Sequence, residues 1–151
     1  MTAERQRFPA RADALPRVSA FVERRCRALG ASRQAALRLI LVAEELFINI
    51  VIHGYGGDCR RHVFLAVRDA GREIELMAED GARPFDPFRA LPAVQVRPDP
   101  RESSVGGLGR VLVTAVSSRH RYQRLGRRNR VTVAVAKRRA SARRTARKGK
   151  K

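Results

Sequence analysis

Residues 45–57 read Glu-Leu-Phe-Ile-Asn-Ile-Val-Ile-His-Gly-Tyr-Gly-Gly. Glu45 and Asn49 stand four apart, so a helix places them on one face. The residues between and after them are apolar, so the pair forms a polar stripe on an otherwise buried helix. Asn is a poor interior helix former, and its position asks for a reason. A carboxylate and an amide oxygen suit a hard cation such as Mg²⁺, which takes oxygen ligands and keeps several waters. The alternative is a solvated edge of an amphipathic helix.

Working upstream, Ser32 is a good N-cap. A helix is expected from it to about His53, with Ala36, Leu39, Ile40, Ala43, Leu46, Phe47 and Ile50 on its apolar face and Gly54, Gly56 and Gly57 ending it. Before it, Leu15, Val18, Phe21, Val22, Cys26 and Leu29 recur at helical spacing over 14–29, and Gly30 follows as a stop. Residues 6–8 form a short strand that Pro9 ends. Downstream, 62–68 and 73–78 read as a β-hairpin turning at 69–72. Residues 84–100 hold five prolines and read as loop. Gly106-Gly107-Leu108-Gly109 opens an apolar helix to about Val116, and strands follow at 119–125 and 129–136. Early helices with antiparallel strands make an α+β fold, with helices on one face of the sheet.

The chain has 151 residues and a net charge of +19. That length suits about one domain. Seven of those charges fall in 139–151, RASARRTARKGKK, which lacks acids and apolar period. A domain over 1–138 and a disordered basic tail over 139–151 are expected. The tail would be solvated or bind polyanions weakly through phosphate contacts. There is no Trp and aromatics are 5%, so stacking on single strands is poorly supplied. Cys26 and Cys59 lack metal spacing and point to a reduced compartment. No apolar run is long enough for a membrane span and no signal peptide is visible, so a cytoplasmic protein is expected.

Two further motifs carry chemistry. Asp80 closes a strand before Gly81-Ala82-Arg83-Pro84-Phe85-Asp86-Pro87. It could accept a hydrogen bond from an exocyclic amine, or simply form an Asp-Gly turn. The glycines of 106–109 could turn backbone amides and a helix N-terminus toward phosphate, or form an ordinary glycine-rich loop. No GxxxxGK[ST] is present, so a Walker P-loop is excluded.

In order and spacing, ExxxN…HGYG, the strand-end DxxxPFDP, the proline-rich segment and GGLG together resemble the GHKL ATPase family of histidine kinases, gyrase and mismatch-repair ATPases. ELFINIVIHGYGG and VGGLGRVLVTAVSSRHRYQRLGRRNRVTVAV resemble its anti-sigma-factor serine/threonine kinase branch, and the likeness covers about 6–138. It implies a two-layer sandwich with a mixed, mostly antiparallel sheet, a Bergerat-type ATP-binding fold. By that resemblance ATP and Mg²⁺ are the cofactors, Glu45 is the catalytic base and Asn49 the Mg²⁺ ligand. Nucleotide contacts fall to His53, Asp80, Ala82, Gly106, Gly107, Leu108 and Gly109, with Asp80 accepting from the adenine amine. The acceptor would be a small STAS-type anti-sigma antagonist, with a sigma factor as further partner, and the family often dimerises. Two departures stand out. Ala82 sits where the family has a glycine, and Glu102-Ser103-Ser104-Val105 precede the GGLG where a basic residue is common. They leave a nucleotide-gated binding module as the alternative to a kinase. A basic nucleic-acid-binding protein is the more distant one.

Overall fold

The computed structural model describes residues 3–89 and 112–138. The glycine motif 106–109, most of the proline-rich segment and the tail 139–151 lie outside the described residues. Five strands form one sheet: β1 (Glu4–Pro9), β2 (His62–Ala70), β3 (Glu73–Asp80), β4 (Arg119–Leu125) and β5 (Arg128–Ala136). Their order is β1-β2-β3-β5-β4, and every pairing is antiparallel. Among the described residues the sheet is wholly antiparallel, in keeping with the mostly antiparallel sheet expected. α1 (Leu15–Ala28) and α2 (Arg33–Asn49) cover one face.

α2 starts where its sequence says it should. The Ser32 hydroxyl accepts the Ala35 N–H at 3.1 Å, satisfying one of the donors a helix start leaves free. Its buried stripe takes in Ala35 and Val42 with Leu39, Ala43, Leu46 and Phe47, while Ala36, Ile40 and Ile50 are only half-buried. The α-helix does not run to His53. It gives way after Asn49 to a π-helical turn, Ile50–Gly54, in which the Tyr55 N–H reaches the Ile50 carbonyl at 2.9 Å. β1 is longer than the three residues expected, because Glu4–Val67 to Pro9–His62 all pair with β2.

The core lies between the helices and the inner sheet face. Phe8 meets Phe21 and Phe47 edge-on, with ring centroids 5.7 and 6.5 Å apart. Val63, Leu65 and Val67 of β2, Ile74 and Leu76 of β3, and Val131, Val133 and Val135 of β5 alternate into the same layer. Burying an aliphatic side chain of this kind stabilises by about 1.5–3 kcal/mol, so this alternation fixes the register: a slip of one residue would turn the whole set outward. Cys26 belongs to this core, and burial pushes its thiol up to about 11. No described helix is long and apolar enough to cross a membrane.

Candidate functional site: a carboxylate and two amides between helix and sheet

β3 ends on Asp80, which faces inward because its pairing partners are Val63 of β2 and Asn129 of β5. Asn129 is buried beside it. Its Nδ2 donates to Asp80 Oδ1 at 2.9 Å, and the Ala82 N–H donates to the same oxygen at 2.8 Å. Asp80 Oδ2 has no hydrogen bond among the described residues. Burial raises the Asp80 pKa above its ordinary 3.8, against the pull of Asn129, the Ala82 N–H and the charge of Arg124.

Asn129 is pinned from both ends. Its Nδ2 also donates to the Arg83 carbonyl at 2.9 Å. Its Oδ1 accepts the Tyr122 hydroxyl at 2.8 Å and the Arg124 guanidinium at 3.0 Å. Arg124 further donates to the Ala82 carbonyl at 2.9 Å. The turn 81–83 is therefore held by β4 and β5, and the free carboxylate oxygen is pre-oriented. Sequence reasoning missed Asn129, Tyr122 and Arg124. The one local signal was an Asn in register with Val131, Val133 and Val135, the only polar residue on the inward face of that strand.

Asn49 stands on the opposite wall, at the last turn of α2. It is 8% exposed, yet its amide has no hydrogen bond among the described residues. The amide is not among the fully buried polar atoms left without a partner, so its polar end is open at the pocket and free to take a ligand. Asn49, Gly54, Asp80 and Asn129 line one small pocket with Phe85 and Pro87. Its volume is about 20 Å³, room for a water and not for a purine.

Glu45 lies one turn before Asn49 and is half-buried. Burial, and then the neighbouring charge of Glu44, raise its pKa above the ordinary 4.5. Glu44 itself is tied to α1 by the Ser19 hydroxyl. A carboxylate so placed is a better base near neutral pH than a solvated one. Among the described residues no group of three or more His, Cys, Asp or Glu could hold a metal. A cation here would take Asn49 and ligands from a bound phosphate chain. The donor set therefore fits Mg²⁺, which keeps most of its shell from water and substrate.

Two expected contacts fall differently. His53 is exposed and does not line the pocket; its backbone carbonyl accepts Arg83 at 3.1 Å. The π-turn is the cause. Its carbonyls reach five residues ahead instead of four, so His53 leaves the line of Glu45 and Asn49. Ala82 is buried, and its methyl packs on the helix end: a Cβ added at Gly54 would lie 3.0 Å from the Ala82 Cβ. The missing side chain at 54 makes room for the extra one at 82. Gly106, Gly107, Leu108 and Gly109 lie outside the described residues.

The sequence profile of the histidine kinase-like ATPase domain matches residues 8–135, and the chain belongs to that family. Among solved structures, 14 chains match. One is the histidine kinase domain of a blue-light-activated histidine kinase from Erythrobacter litoralis, at TM-score 0.50 and 15% identity. That match covers 86% of this chain and 62% of the other; at such identity it speaks for the fold alone. No curated protein sequence matches the chain.

Proposed function

We propose that the protein is an ATP- and Mg²⁺-dependent protein serine/threonine kinase of the anti-sigma-factor type. Its acceptor would be a small STAS-type antagonist, with a sigma factor as further partner. The observation that carries the reading is the pairing of two polar groups that no described protein group bonds, across one pocket: Asp80 Oδ2 on the sheet and the Asn49 amide on the helix. Asp80 would accept the adenine amine, and Asn49 would hold Mg²⁺ against the phosphates. The cation supplies charge neutralisation when bound.

Glu45 supplies the chemistry this chain owns. It would take the proton of the acceptor hydroxyl as that oxygen bonds to the γ-phosphorus and the bond to the ADP oxygen breaks. Positioning and electrostatics do the rest, as in other phosphoryl transfers. The narrow pocket and Ala82 favour a second reading, a nucleotide-gated binding module without useful transfer. Incubation with γ-labelled ATP, Mg²⁺ and cytosolic extract separates them. A labelled small protein, lost with Glu45→Gln, supports the kinase; ATP binding by calorimetry without any transfer supports the module.

A further inference from the structure

The sheet face away from the helices carries a second cavity, of about 260 Å³. Four arginines line it: Arg7 from β1, Arg60 and Arg61 from the loop before β2, and Arg128 from the start of β5. All four are exposed, and none has an ion-pair partner among the described residues. Elsewhere on this face most arginines are matched, Arg121 of β4 being an exposed exception outside the cleft. Arg5 and Arg130 hold Glu79, Arg68 and Arg119 hold Glu75, and Arg119 also reaches Glu73 at 3.0 Å.

Other charges at the cavity do not neutralise the four. Glu79 lines it but is already taken by Arg5 and Arg130. Asp80 lines it too, its Oδ1 taken by Asn129 and Ala82, and one carboxylate does not balance four guanidinium groups. The histidine here, His62, adds no negative charge. Four like charges converging from three chain segments repel one another, and an anion between them relieves that repulsion.

We propose that this cleft binds clustered phosphate groups, two or more in a row. The guanidinium fork fits phosphate oxygens in pairs, and the volume lies just below the ~300 Å³ at which drug-sized pockets begin. Rings contribute little to the recognition. Arg5 already covers Phe64 at 4.3 Å from the ring centroid. The Tyr55 hydroxyl is engaged by Gly81 and His62. The cleft therefore reads charge and spacing, not bases. Such phosphates come from a free oligophosphate or from a nucleic-acid backbone. The cleft shares Asp80 with the Asn49–Asp80 pocket but none of its four arginines, and it does not depend on the kinase reading.

The test uses the full chain without magnesium, so that no cation bridges phosphates to Asn49. Calorimetry with tripolyphosphate and anisotropy with labelled single-stranded oligothymidylate are the two arms. The Arg7→Gln/Arg128→Gln variant is expected to lose at least roughly tenfold in one or both arms. Arg121→Gln, the same kind of charge loss on the same face outside the cleft, should stay within about twofold. Loss in both arms, with the salt slope for the strand falling by about 1.4, assigns the ligand to a nucleic-acid backbone. Loss with tripolyphosphate alone assigns it to a free oligophosphate. If the double variant fails to fold, Arg60→Gln/Arg61→Gln replaces it with the same expectation. Absence of binding by the wild type, or equal losses in Arg121→Gln, overturns the proposal.

Discussion

Glu79 and Asp80 are neighbours on one strand and share almost nothing else. Glu79 faces away from the helices, 3% exposed, between the guanidinium groups of Arg5 and Arg130. Asp80 faces the helices, 5% exposed, and meets only an amide and a backbone N–H. Both acids are buried. The first has its charge answered within the protein; the second keeps an oxygen free and binds its proton more tightly than usual. One step along a pleated strand therefore separates an acid that holds the sheet together from an acid available to a ligand.

The largest expected effect sharpens the inner-face side. Glu45→Gln should lower phosphoryl transfer by about 10²–10⁴ while ATP affinity, read by calorimetry, stays near wild type. In the wild type the rate should rise with pH as Glu45 loses its proton, with the midpoint above the ordinary carboxylate value of 4.5. An unchanged transfer rate in Glu45→Gln would remove the base assignment.

Asp80→Asn breaks the contrast at its centre. Its retained oxygen can still accept from Asn129 and Ala82, so the free position becomes an N–H donor. That donor opposes the adenine amine and suits a carbonyl. ATP should weaken by roughly ten- to a hundredfold, and the preference over GTP should shrink or reverse. Stability should not fall. A raised acid pKa means the native state binds the proton more tightly, so stability declines as pH rises from 3.8 through the raised value. At pH 7 the variant lacks that penalty, and its denaturation midpoint should equal or exceed wild type.

Glu79→Ala should behave in the opposite way. It strands Arg5 and Arg130, whose side chains are 41% and 38% exposed and can turn to water. A loss of about 1–3 kcal/mol is expected, below that of a wholly buried pair, with ATP affinity unchanged. If Glu79→Ala abolished nucleotide binding, the two faces would not be independent.

The smallest effect concerns the fit at the helix end. Gly54→Ala should cost about 1 kcal/mol through overpacking on Ala82. Adding Ala82→Gly should restore most of it, giving a coupling that two independent sites would not show.

The sequence made the two helices, the β2–β3 hairpin and β4–β5 legible, because each announces itself by local period and turn chemistry. It also marked Glu45, Asn49 and Asp80, whose odd polarity shows within one element. It could not show Asn129 beside Asp80, because that partnership spans 49 residues and exists only through β3–β5 pairing. For the same reason the outer arginines looked like scattered charge: which of them are answered by Glu73, Glu75 and Glu79 is a cross-strand matter. The π-turn that moves His53 aside has no signature in an apolar run such as Ile50–Ile52.

The Tyr55 hydroxyl donates to the His62 carbonyl at 3.2 Å and accepts the Gly81 N–H at 2.9 Å. One phenol thus ties the chain after the helix to the start of β2 and to the turn beside Asp80. Gly81 is exposed, yet its amide proton should exchange slowly with deuterated water, because release requires this link to open. Burial raises the Tyr55 ionisation above its ordinary 10.0, so the phenol keeps its donor proton through the neutral range. Protection of a solvent-facing glycine thereby becomes a direct gauge of how often the turn beside the carboxylate comes loose.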